Sequence, residues 1–153
     1  MSHNEFMQQA IELAYENTKK KKGKPFGALI VKDGKIIAKG VNDVLETHDP
    51  TAHAELQAIR EACRILGTSN LSDCELYASG EPCPMCLSAI YWANLKHVYY
   101  AYTAEEEEEA GLGTKYVYDQ IALPKEERDI KLKNLDKDLQ RKNPFALWQE
   151  LKK

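Results

Sequence analysis

The chain has 153 residues, 43% hydrophobic and 29% charged, with 21 Lys and Arg against 24 Asp and Glu and a net charge of -3. This is an ordinary size for one domain, and the composition excludes a disordered, collagenous or disulfide-framework protein. No stretch approaches the roughly 20 apolar residues of a membrane span, and the charge balance supplies no overall basic face for nucleic acid, although charge can cluster locally.

The first fifteen residues carry Glu5, Gln8, Gln9 and Glu12 and lack the basic start and apolar run of a secretory signal, so a cytoplasmic protein is expected. Phe6, Ala10, Leu13 and Ala14 recur at helical spacing, with Ser2 or Asn4 as cap. Lys19 to Lys22 and Lys24 form a basic run that reads as a solvated loop ending at Gly23 and Pro25. Residues 26–31 are almost continuously apolar, the pattern of a strand covered on both faces. Asp33-Gly34 then signals a tight hairpin into a second strand, 35–40.

Asp49-Pro50-Thr51 is expected to open a helix whose buried stripe is Leu56, Ile59, Ala62, Cys63 and Leu66, stopped by Gly67. A strand at 74–78, a helix starting at Pro82 or Pro84, and a strand at 97–102 follow. This order predicts an α/β fold with three α/β/α layers around a mixed sheet of about five strands. Five carboxylates, Glu105 to Glu109, read as a solvated helix start. Residues 116–121 alternate poorly, and Leu123-Pro124 breaks the pattern. Asn143-Pro144 caps a last helix that places Phe145, Trp148 and Leu151 on one face, which something must cover.

The chemistry concentrates in two short motifs. Cys83-Pro84-Met85-Cys86 sets two thiols on one side of a helix N-terminus, where the dipole favours thiolate, the metal-binding form. His53-Ala54-Glu55 supplies an imidazole and a carboxylate at the start of another helix. His53, Cys83 and Cys86 make three ligands, one fewer than a closed structural zinc site. Cys63 lies ten positions beyond His53, roughly 15 Å along the helix axis, and reads with Cys74 as a small buried hydrophobe. One zinc ion per chain is therefore expected. Its open position would take a water of lowered pKa, with Glu55 beside it as the acid–base group.

At these residues the chain resembles the cytidine deaminase superfamily over nearly all of its length, and within it the guanine deaminases of bacteria. The resemblance rests on Pro25-Phe26-Gly27-Ala28, Asp49-Pro50-Thr51-Ala52-His53-Ala54-Glu55, Glu81-Pro82-Cys83-Pro84-Met85-Cys86-Leu87 and Ala89-Ile90-Tyr91-Trp92-Ala93. It implies hydrolytic deamination of a free purine, guanine to xanthine and ammonia. It implies also that Asn42 hydrogen-bonds the base, that Phe26 stacks on it, and that Ala54, Glu81, Trp92 and Trp148 complete the pocket. It further implies one domain, 1–153, forming a homodimer in which a tail at about 136–153 closes the partner's active site. Gly113-Thr114 stand where relatives carry acidic residues, and Gly80 replaces another small residue. Deamination of tRNA adenosine, or of free cytosine or a related heterocycle, uses the same metal chemistry. A non-enzymatic zinc or redox role for Cys83 and Cys86 is opposed by Glu55 and the three-ligand count.

Overall fold

The computed structural model describes residues 1–137 and 142–152. Two compact units, Met1–Asp119 and Gln120–Lys153, are described separately. The first unit begins with α1 (His3–Lys21), β1 (Gly27–Lys32) and β2 (Lys35–Val41). The short α2 (Val44–Thr47), α3 (Ala54–Leu66), β3 (Glu75–Gly80), α4 (Pro84–Trp92), β4 (His97–Tyr102) and α5 (Ala104–Glu109) follow. Helix α6 (Lys115–Ala122) crosses the boundary, and α7 (Pro144–Leu151) lies in the second unit.

The sheet runs β2-β1-β3-β4, with β1 antiparallel to both neighbours and β3 parallel to β4. Alternation along β1 explains the layering. Leu29 and Val31 pack with Phe6 and Ala10 of α1, whereas Ala28 and Ile30 pack with Ala58 and Ala62 of α3 and Ile90 of α4. Both faces of β1 are therefore buried, as its continuous apolar run predicts. The hairpin turn has positive φ at Asp33 (51°) and Gly34 (74°), the geometry that Asp-Gly favours. Gly40 lets β2 approach α3 closely: a Cβ there would strike the Ala54 carbonyl and stand 2.7 Å from the Ala58 nitrogen.

Three expectations are corrected. The sheet has four strands among the described residues, not about five. After β4 the chain turns helical, because Thr103 and Glu106 form a capping box and carboxylates fill the first turn of α5. Helix α3 begins at Ala54 with His53 as N-cap, and not at Asp49-Pro50-Thr51. There Asp49 Oδ1 instead accepts from the Thr51 N–H (2.8 Å) and hydroxyl (2.7 Å), closing a turn ahead of the helix. The basic run is not all loop, since Lys19 to Lys21 form the last turn of α1, where cations suit the dipole.

In the second unit, Arg128 donates to the carbonyls of Gln120, Ile121 and Leu123, satisfying the C-terminal end of α6. Asn143 caps α7 through its Oδ1, which accepts from the N–H groups of Phe145 and Ala146. Phe145, Trp148 and Leu151 are exposed on this unit. The predicted tail at 136–153 falls partly outside the described residues.

Candidate metal centre and active site

The N-termini of α3 and α4 meet at the site. His53 precedes α3, Cys83 precedes α4, and Cys86 sits in the first turn of α4. The Sγ atoms of Cys83 and Cys86 each lie 3.5 Å from His53 Nδ1. Zinc–sulfur bonds near 2.3 Å and zinc–nitrogen bonds near 2.05 Å at a tetrahedral angle set a sulfur–nitrogen separation of about 3.6 Å. The three donors therefore already stand at zinc spacing. Two sulfurs and an imidazole are a donor set that zinc favours, and no fourth ligand joins the cluster among the described residues.

The cysteines are electrostatically prepared. The Cys83 thiol is held down to about 4, chiefly by its hydrogen bond with Cys86 and also by His53. Cys86, paired with Cys83 and buried, keeps its proton longer. Cys83 Sγ also accepts the Cys86 N–H at 3.4 Å, so the thiolate caps α4 before any metal binds it. Cys74 belongs to the core and Cys63 packs against it, and neither joins the ligand cluster.

Glu55, the second residue of α3, is buried and yet lines the same cavity as His53 and Cys83. Burial pushes its carboxyl up to about 7; a zinc ion at the neighbouring ligands would pull it back down. The cavity measures about 450 Å³, within the usual range for small-ligand sites. Phe26, Asn42 and Glu81 also line it, as do Lys24, Glu107, Leu112, Gly113 and Thr114.

Asn42 is fixed from several sides. Its N–H donates to the Phe26 carbonyl (3.2 Å), and its Oδ1 accepts from Val44 N–H (3.1 Å). Its carbonyl accepts from Asn17 Nδ2 at 2.9 Å, and that same nitrogen donates to the Lys24 carbonyl at 3.0 Å. Glu81 is anchored through Oε1, which accepts the Ala104 N–H at 3.0 Å.

Two of the other expected residues, Ala54 and Trp92, are not among those lining this cavity. Ala54 is fully buried at the start of α3, and Trp92 ends α4 at 85% exposure. Trp148 belongs to the second unit. Asn17 and Glu107 are contributors that sequence reasoning misses. Asn17 extends the buried stripe Phe6, Ala10, Ala14 of α1 and could have been found by that period. Glu107 is indistinguishable from its four neighbours in sequence, yet it alone of the five is buried.

Residues 1–102 match the family described as the cytidine and deoxycytidylate deaminase zinc-binding region. The chain belongs to this family. It is 48% identical over 149 residues to the guanine deaminase of Bacillus subtilis, covering 97% of this chain and 95% of that protein. The crystal structure of a Bacillus subtilis guanine deaminase superposes with a TM-score of 0.93 over 98% of this chain and 95% of that one. A tRNA-specific adenosine deaminase of Aquifex aeolicus is 52% identical over 77 residues, about half of each chain (50% and 51%). The deaminase has no helix, among the described residues, long and apolar enough to cross a membrane.

Proposed function

We propose that the deaminase converts guanine and water to xanthine and ammonia, with His53, Cys83 and Cys86 as zinc ligands and Glu55 as the proton carrier. The observation that supports this best is the placing of a buried carboxyl, Glu55, in one cavity with a three-ligand site that leaves a position open. When bound there, zinc supplies an activated water.

Glu55 carries one proton of the attacking water to ring nitrogen N3 as the C2–O bond forms, then the second to the amino group as the C2–N bond breaks, leaving a C2 carbonyl and ammonia. Its burial keeps bulk water from competing for those protons. Phe26 offers an aromatic face on the cavity wall for the flat base. With Asn42 Oδ1 engaged by Val44, the Asn42 amide N–H groups remain to meet a base carbonyl.

The homodimer and the closing tail belong to the same reading. The exposed apolar side chains of α7 are what a helix that completes another chain's pocket requires. A free-base enzyme of this kind works in the cytoplasm on a small molecule and needs no nucleic-acid surface. The test is ammonia release by the zinc-loaded protein from guanine, adenine, cytosine and tRNA. Guanine should exceed every other substrate by at least a hundredfold in kcat/KM. Preference for tRNA or cytosine would overturn the substrate assignment.

A further inference from the structure

Glu107 has no hydrogen-bond partner among the described residues. It is 6% exposed, and both carboxyl oxygens are shielded from water. A buried acid in that condition costs stability. The fold nevertheless makes room for it: a Cβ at Gly80 would collide with Glu107 Oε2 and crowd the Phe26 ring at 3.2 Å. The side chain thus rests in a notch above Gly80, on the wall it shares with Phe26 and Leu112, and it lines the cavity that holds Glu55, His53 and Cys83.

The needs of a purine match this leftover acceptor. A guanine ring presents N–H donors as well as carbonyl acceptors. Asn42 offers its N–H groups to acceptors. Glu81 spends one oxygen on the Ala104 N–H, and Glu55 is occupied with proton transfer. Among the carboxyl groups on the cavity wall, Glu107 is the one whose two oxygens are both buried without a hydrogen-bond partner among the described residues.

We propose that Glu107 is a specificity-determining residue of the base pocket, its carboxyl turning from the Gly80 notch to accept a ring N–H of the bound purine. Either protonation state keeps an acceptor oxygen, so the contact survives the upward push that burial gives this acid, to about 7. The proposal rests on the guanine reading above.

The test compares Glu107→Leu and Glu107→Gln as zinc-loaded proteins, with zinc content, melting temperature and kcat/KM for guanine measured together. Leu removes the acceptor and fills similar space, so it should leave zinc and melting temperature at or above wild type while kcat/KM falls at least tenfold. Gln keeps an acceptor oxygen and should return kcat/KM to within threefold of wild type. A loss smaller than tenfold with Leu, a loss accompanied by a lowered melting temperature, or no recovery with Gln would each overturn the proposal. A wild-type chain inactive on guanine would instead sink the substrate reading beneath it.

Discussion

Glu55→Gln separates proton transfer from metal binding. Glu55 is not one of the three clustered ligands, so the amide should leave zinc in place. It fills nearly the same volume in the first turn of α3 but carries no transferable proton. General acid–base steps contribute on the order of 10²–10⁴ in rate, which corresponds to roughly 3–5 kcal/mol of activation free energy. The same substitution has a thermodynamic signature in chelator-stripped protein. Burial raises the Glu55 carboxyl from 4.5 to about 7 in the folded state. The folded chain then prefers the protonated acid, so stability is full below pH 4.5 and falls as pH rises from 4.5 through 7. At about 1.4 kcal/mol per unit, the loss reaches about 3 kcal/mol above pH 7. Gln has no such titration, so metal-free Glu55→Gln should be the more stable protein at pH 8, with the gap closing near pH 4.5. Steady-state ammonia release, zinc content and denaturant melts across pH test this. A rate loss below tenfold with full zinc would show that another group moves the proton.

Three further outcomes are expected. Cys83→Ser should lose zinc and turnover together, whereas Cys63→Ser should keep both; metal analysis of the purified variants decides. Asn17→Leu leaves the Lys24 and Asn42 carbonyls without their shared donor, which should cost about 2–4 kcal/mol in denaturant melts and raise KM for guanine by loosening Asn42. Truncation before Asn143 should leave a folded, zinc-loaded chain with poor turnover. Mixing it with full-length Glu55→Gln should restore part of the activity once subunit exchange is demonstrated, and background activity in such mixtures would exclude a tail acting on the partner.

Most of the core was legible because its signals are local and periodic. The apolar run of β1, the Asp-Gly hairpin and the Gly67 stop each specify backbone geometry with few residues. The zinc ligands were legible because thiols three apart and a His-x-Glu pair admit few other readings. What sequence could not supply was three-dimensional selection among like residues. Five glutamates in a row give no hint that Glu107 alone turns inward, which depends on Gly80 being small at the end of β3. The start of α3 was misplaced because Asp49 satisfies Thr51 in a turn as readily as it would cap a helix. Asn17 went unread because polar residues are usually assigned to a helix's wet face, yet its amide bridges two loop carbonyls.

The central claim is that one zinc at His53, Cys83 and Cys86 makes this chain a guanine deaminase. Titrating zinc into chelator-stripped protein while following guanine consumption and xanthine and ammonia formation tests it most directly. The account predicts equimolar xanthine and ammonia, with the rate rising in proportion to zinc and levelling at one ion per chain. No xanthine at any zinc loading, or a rate that continues to rise well beyond one ion per chain, would contradict it.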